Sequence, residues 1–373
     1  MTHAAVTGWG KCLPPAVLSN ADLTQILDTS DEWITTRTGI QQRRISHVGL
    51  GELAYVAALR ALACAGKDPA DLDLIVFGTT SFEDQAPNQA SQLQLRLGAQ
   101  RAASMDVNTA CTSFTYAWST ANALIRTGVV RNALVLGGEV ISRFMDWSNR
   151  NVAVLFGDGC AAVVLEAAEA PTGLLGERLG CDAAGRGALV IEGMGARYAD
   201  FERPLGVTNW IFDGQEIFRR AVAGMAQASA EVLQKLSVTS RDIGLVVPHQ
   251  ANLRIIEAVA KKLDTPMERV MLTVQRYGNM SAATVPVALV EALEQGRVAA
   301  NSLLLMPAFG AGLSWSAHLA RWGQRVTPLA HSNAELPACT ASALDLVQDL
   351  IGRRAAAGHF ACRGGQGSAD ARG

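Results

Sequence analysis

Three side chains able to work on an acyl group stand far apart in the chain, each in a short loop-like context. They are Cys111 in MDVNTACTSFTYA (105–117), His249 in IGLVVPHQ (243–250) and Asn279 in RYGNMSAATVP (276–286). A cysteine attacks as its thiolate, reached from an ordinary pKa near 8.5. The helix-like run from Thr112 offers unpaired N–H groups and partial positive charge at its start. Ala110, Thr112 and Ser113 are small enough to admit a substrate carbonyl, and the Cys111 N–H can meet the oxyanion that attack creates. A Cys/His/Asn set permits two chemistries. In papain-like hydrolysis the imidazole prepares a water; in carbon–carbon bond formation a neutral His and the Asn donate hydrogen bonds to a developing enolate and water is kept out. Taken singly, each residue has an ordinary structural explanation: a buried thiol, a hydrogen-bonded core histidine, a turn asparagine. Only convergence makes a site.

Convergence is what the rest of the chain predicts. A helix-like stretch, a polar break and the apolar run LDLIVFG (72–78) open into the loop TTSFED (79–84). The same order recurs in SAEVLQKLSVTSRDIGLVVPHQAN (229–252), which opens into PHQAN. Further on, SMDVNTACTSFTYAWSTANALIRTGVVRNALVLGGE (104–139) matches TVQRYGNMSAATVPVALVEALEQGRVAANSLLLMPAFG (273–310) in layout. Each has a strand-like start, a turn-rich corner, a long small-residue helix, a Gly-containing turn and a strongly apolar strand. Such spacing indicates two similarly folded halves, not a short-period solenoid. Apolar strands alternating with helices point to buried, largely parallel sheets covered by helices, an α/β architecture. Packed about a pseudo-twofold axis, the halves would bring Cys111 from the first to face His249 and Asn279 from the second. The expected organisation is 1–172, carrying the nucleophile; 173–322, carrying the His and Asn; and a partly flexible extension, 323–373, with a short amphipathic helix near 341–353.

Composition narrows the class. Of 373 residues, 49% are hydrophobic and 18% charged, as in a compact globular protein, and a net charge of -2 offers no general attraction to nucleic acid. The seven cysteines (12, 64, 111, 160, 181, 339 and 362) form no CxxC pair, so neither a metal centre nor a disulfide framework is expected. The opening MTHAAVTGWGKCLPP lacks a basic segment followed by an apolar core, and no uninterrupted apolar run is long enough to span a bilayer. A cytoplasmic protein with no membrane insertion is the expectation.

Several longer strings now stand in one order: DEWITTRTGIQQRR (31–44), DVNTACTSF (106–114), DWSNRNVAVLFGDG (146–159), PHQANLRI (248–255), RYGNMSAATVP and AFGAGLSW (308–315). In this the chain, over about residues 4–322, resembles the β-ketoacyl-ACP synthase III family of thiolase-like condensing enzymes. The resemblance implies a five-layer αβαβα fold with duplicated halves. It implies Cys111 as the acyl-accepting nucleophile, His249 and Asn279 as the pair assisting malonyl decarboxylation, and the N–H groups of Cys111 and Ala311 as the oxyanion hole. Trp33 and Arg150 resemble the pair that sandwiches the coenzyme A adenine, with Arg37 beside them. Arg254, Lys261 and Lys262 resemble the basic patch for an acidic acyl carrier protein (ACP). The implied reaction joins an acyl-CoA primer to malonyl-ACP, giving 3-ketoacyl-ACP, CoA and CO2, in a homodimer with no metal and no tightly bound cofactor.

Two features depart from the pattern. The loop SFEDQAPNQA (81–90) has Ala86 where acetyl-primed relatives tend to place a bulky aromatic, which implies a deeper pocket and a medium-chain primer. The extension after Trp322 is unlike typical members. The alternative is a specialised acyl-CoA condensing or acyltransfer enzyme of secondary metabolism. A thiolase proper would need a late second cysteine, absent from GAGLSW. A hydroxymethylglutaryl-CoA-synthase-like enzyme would need an acidic catalytic partner near Cys111, and the sequence there offers none obvious. A non-catalytic scaffold would have lost part of the Cys/His/Asn set.

Overall fold

The computed structural model describes residues 2–169, 171–198, 206 and 208–356. Nine strands form one sheet: β1 His3–Cys12, β2 Leu74–Gly78, β3 Ala103–Val107, β4 Asn132–Glu139, β5 Gly159–Ala168, β6 Gly173–Cys181, β7 Ile243–Val246, β8 Leu303–Gly310 and β9 Ser314–Arg321. Their order is β7-β8-β9-β6-β1-β5-β4-β2-β3. Every residue of β2, β4 and β8 is buried, which accounts for their near-continuous apolar sequence.

The two ends of this sheet repeat one another. On one side β1 pairs antiparallel with β5, β5 antiparallel with β4, β4 parallel with β2, and β2 parallel with β3. On the other, β6 pairs antiparallel with β9, β9 antiparallel with β8, β8 parallel with β7, and an isolated parallel bridge joins Val246 to Val270. A single parallel pair, Ala4 with Gly173, joins the sides. Helices α1 (Leu50–Ala65) and α3 (Gly214–Lys235) cover the outer faces, against β1 and β5 and against β8 and β9 respectively. Between the two sides of the sheet lie α2 (Ser113–Arg126) and α5 (Thr284–Glu294). Helix α5 buries Thr284 through Leu293 without a polar face, as a helix enclosed on all sides must. The result is the mixed α/β, thiolase-like layering expected, with the central helices starting at one level in the middle of the molecule. No helix among the described residues is long and apolar enough to cross a membrane.

Beyond Trp322 the chain runs without regular structure as far as the helix Ala343–Ala356, yet it is held along its length. Leu329 N donates to Cys64 O at 3.0 Å, Arg60 donates to Ala334 O at 3.0 Å, and His47 Nε2 lies 2.8 Å from Pro337 O. Ala343 and Val347 are buried, and Arg354 donates to Met145 O at 2.6 Å and Arg143 O at 2.8 Å. Of the extension expected to be partly flexible, 323–373, residues 357–373 lie outside the described residues. Burying the Val347 side chain contributes about 2 kcal/mol. Deleting 323–373 is therefore expected to lower Tm by roughly 3 °C or more in a thermal melt, and an unchanged Tm would make this strap a passenger.

Candidate active site

The central helices begin at matched corners. A single 3₁₀ turn, Ala110–Thr112, precedes α2, and another, Ser281–Ala283, precedes α5. Both turns open on a non-glycine residue in the left-handed region, Ala110 at φ 53° and Ser281 at φ 46°. That conformation costs an L-residue roughly 1–2 kcal/mol, and strain of this kind concentrates at functional corners. Cys111 follows Ala110 directly. Gly310, the last residue of β8, backs onto it: a Cβ there would stand 2.8 Å from Cys111 N. Only glycine lets β8 pass so close to the Cys111 backbone.

His249 and Asn279 arrive from the second half. Past the end of β7, the backbone continues alongside β8, with Val247 N donating to Leu305 O at 2.8 Å and His249 N to Pro307 O at 2.9 Å. The neighbouring Gln250 is fully buried and all four of its amide bonds are made. Its Nε2 donates to Pro248 O and Met271 O, and its Oε1 accepts from Thr273 N and Val274 N. Asn279 N donates to Leu155 O at 2.8 Å, and Asn279 O accepts from Gly157 N at 3.1 Å. Its side-chain Oδ1 accepts from Ser281 N at 2.8 Å, which leaves Nδ2 as the donor turned to other partners.

Cys111, His249 and Asn279 line one cavity of about 1060 Å³, together with Phe309 and Gly310. All three are buried. Burial pushes the Cys111 thiol up to about 12; the Glu139 carboxyl adds to this, while the Ser281 hydroxyl and the residue's own N–H oppose it. The pull of the helix start does not overcome desolvation, so Cys111 rests as a thiol. Burial also lowers His249 to about 3, leaving a neutral imidazole. Its Nδ1 is 2.5 Å from Thr284 Oγ1, and that hydroxyl lies 2.9 Å from Ser281 O. The hydroxyl's one proton sets the tautomer: given to Ser281 O it leaves the ring proton on Nδ1, and given to Nδ1 it puts the ring proton on Nε2. No group of three or more His, Cys, Asp or Glu among the described residues is placed to hold a metal ion.

One acid beside Cys111 is missing from the sequence reading. Glu139, the last residue of β4, is fully buried and accepts from Ser81 Oγ at 2.5 Å, from Thr79 Oγ1 at 3.2 Å and from Thr80 N at 3.2 Å. The Ala282 N–H is 3.5 Å away. Burial raises its pKa and the surrounding hydroxyls partly offset this. A charged residue ending an otherwise apolar run, VLGGE, was the available signal.

At the cavity mouth, Trp33 and Arg37 belong to the helix Asp31–Thr38, which Ser30 caps through Trp33 N. The guanidinium carbons of Arg37 and Arg150 stand 4.6 and 5.1 Å from the Trp33 ring centroid. A base inserted between Trp33 and Arg150 needs two van der Waals layers, about 7 Å. The pair is closed on itself, with Arg150 also donating to Asp28 O at 2.7 Å. Arg254 lies exposed on the first turn of α4 (Leu253–Lys262) and lines the cavity; Lys261 and Lys262 are exposed at the far end of the same helix, roughly 10 Å on. Asn252 caps α4 and donates to Arg37 O at 3.0 Å, tying the two sides of the mouth together. Ala86 sits elsewhere, on the exposed loop stretch 83–87, and does not line the cavity of its own chain.

Comparisons with known proteins place the chain in a family. The family profile described as 3-Oxoacyl-[acyl-carrier-protein (ACP)] synthase III matches residues 105–183, and its C-terminal counterpart matches 233–322. The chain is 49% identical over 349 residues to a beta-ketoacyl-[acyl-carrier-protein] synthase III 2 of Vibrio cholerae serotype O1, covering 94% of this chain and 96% of that protein. The crystal structure of 3-oxoacyl-[acyl-carrier-protein] synthase III from Aquifex aeolicus superposes with a TM-score of 0.80 at 40% identity, covering 86% of this chain and all of that one. A priming beta-ketosynthase from a polyketide biosynthetic pathway gives a TM-score of 0.82 at 33% identity, covering 86% and 97%. The chain belongs to the β-ketoacyl-[acyl-carrier-protein] synthase III family and is an enzyme of the Claisen-condensing class.

Proposed function

We propose that this enzyme loads an acyl group from acyl-CoA onto Cys111 and condenses it with malonyl-ACP, releasing CO2 and 3-ketoacyl-ACP. One observation carries the choice of condensation over hydrolysis: the neutral, buried His249 is oriented by a hydroxyl, Thr284, and not by a carboxylate. With the Thr284 proton turned to Nδ1, this imidazole carries its own proton on Nε2, where it is a poor base for water and a good hydrogen-bond donor to an enolate oxygen. In loading, the Cys111 sulfur bonds to the acyl carbon, the bond to the CoA sulfur breaks, and the thiol proton leaves with CoA. The N–H groups of Cys111 and Ala311 receive the oxyanion. In condensation the malonyl carboxylate departs as CO2, and its electron pair passes to an enolate held by His249 Nε2 and Asn279 Nδ2. The enolate carbon attacks the acyl-cysteine, the carbon–sulfur bond to Cys111 breaks with its electron pair left on sulfur, and the thiolate takes a proton from solvent to restore the thiol.

The adenine of CoA stacks on Trp33 by displacing Arg150 outward, with Arg37 at its edge. Arg254 at the mouth, with Lys261 and Lys262 along α4, receives the acidic carrier protein. The working unit is a homodimer in the cytoplasm with no tightly bound cofactor, its halves meeting at residues 172 and 173 and 323–373 appended. The structural likeness to a polyketide priming synthase supports a second reading, a specialised condensing enzyme with another thioester acceptor.

Primer length tests both readings. Ala86 lacks the ring expected of a short pocket, and its exposed loop reaches a partner's cavity in the dimer. Each further buried CH2 contributes about 0.8 kcal/mol before ordering costs. The expected result is a C6–C10 optimum in kcat/KM across C2–C12 acyl-CoAs with malonyl-ACP, moving to short chains in Ala86→Phe. An acetyl optimum in the unmodified enzyme would defeat the chain-length reading, and activity with malonyl-CoA but not malonyl-ACP would favour the alternative.

A further inference from the structure

A ladder of buried polar pairs joins the nucleophile's helix to β9. Ser314, Ser316 and His318 alternate along one face of the strand. Thr112, Thr115 and Ser119 share one side of α2 and the turn before it. The pairs meet in register: Thr112 Oγ1 to Ser314 Oγ at 2.8 Å, Thr115 Oγ1 to Ser316 Oγ at 2.8 Å, and Ser119 Oγ to His318 Nε2 at 3.0 Å. All six residues are buried. Pairs of this kind add only about 1 kcal/mol each to stability and leave costly orphans when broken. They specify one arrangement more than they strengthen the core.

The first rung touches the chemistry. Thr112 Oγ1 donates to Thr109 O at 2.7 Å, so its own proton is committed. Ser314 Oγ, with one proton to donate, gives it to Thr112 Oγ1 at 2.8 Å and packs 3.2 Å from both Thr109 O and Ala311 O. One hydroxyl therefore contacts the segment that carries the Cys111 N–H and the residue that carries the second oxyanion donor.

We propose that Thr112 and Ser314 are positioning residues that hold the Cys111 and Ala311 N–H groups at the separation an acyl-thioester oxygen requires. The role rests on the assignment of Cys111 and Ala311 under the proposed function. The lower two rungs keep α2 in register with β9 and lie too far along the helix to touch the acyl group.

The test is isotope-edited infrared spectroscopy of the enzyme loaded with octanoyl-CoA carrying ¹³C at the carbonyl, alongside single-turnover loading rates. Thr112→Val and Ser314→Ala are each expected to move the acyl carbonyl stretch to higher wavenumber. Each should also slow loading roughly 10-fold with KM unchanged. The double variant should be no slower than the slower single, since both remove one staple. Thr112→Ser and Ser314→Thr should restore the wild-type frequency, while Ser316→Ala should lower Tm without moving the band. Should Ser314→Ala fail to fold, Thr112→Val reads the same staple from its other partner. Wild-type loading rates with an unshifted band in the variants would overturn the proposal. A wild-type enzyme with no adduct on Cys111 would instead overturn the site assignment beneath it.

Discussion

Cys111→Ser should fold normally and lose at least roughly 1000-fold in acyl loading. The site contains nothing to make an alcohol reactive. Burial pushes even the thiol up to about 12, and the nearest imidazole is lowered to about 3 and held by Thr284. A hydroxyl in that place starts from a far higher pKa and meets no stronger base. Intact-mass measurement after incubation with octanoyl-CoA, without malonyl-ACP, should show one lasting adduct on the wild type and none on the variant. The same adduct on Cys111→Ser, or a hydrolytic burst with no lasting adduct, would remove Cys111 from the mechanism. The pH dependence has a definite sign. With the thiol near 12, the thiolate fraction rises tenfold per pH unit through neutrality, so alkylation of Cys111 by iodoacetamide should climb from pH 7 to 9 without a plateau. A plateau below pH 8 would mean a thiolate stabilised in the resting site. The proton otherwise leaves as the acyl carbonyl and its N–H donors come together.

Cys111, His249 and Asn279 were legible because each sits at the end of a strand-like run whose layout recurs in the other half. The repeat implied that the three corners face one another, and the matched strand pairings supply the physical reason. Glu139 was hidden for the opposite reason. Its hydroxyl partners at 79–81 are 58 to 60 residues away, and only the parallel pairing of β2 with β4 sets those loops beside it. The Thr112–Ser314 ladder combines a helical spacing with a strand spacing across some 200 residues, a coincidence with no trace in either segment alone. The motif holding Trp33 and Arg37 pointed to the cavity mouth, yet nothing in it said that Arg150 would close over the ring. The stretch between Trp322 and the helix Ala343–Ala356 has no period to read, since it is held through backbone carbonyls and isolated side chains.

His249→Ala and Asn279→Ala should separate the two half-reactions. Both variants are expected to load Cys111 within roughly 10-fold of the wild type and to lose malonyl decarboxylation by at least roughly 100-fold. The asymmetry follows from where charge develops. In loading, the oxyanion forms against the backbone N–H groups beside Cys111, which neither substitution removes. In decarboxylation the negative charge grows on the malonyl thioester oxygen, and the remaining donors are side chains. Asn279 has its Oδ1 occupied by Ser281 N, so its amide can turn only N–H groups toward that oxygen. His249, with Nδ1 against Thr284, has Nε2 left for the same task. Because burial holds the imidazole near 3, it stays neutral from pH 5.5 to 8, and decarboxylation by acyl-loaded enzyme should show no limb attributable to His249 in that window. A limb near pH 6.5 that disappears in His249→Ala would require an imidazolium instead. Loss of loading with decarboxylation intact would invert the roles and return the hydrolytic reading of the Cys/His/Asn set. If both donors share one oxygen, the double variant should fall short of the product of the single losses, because the enolate that keeps one donor already depends on the other's geometry.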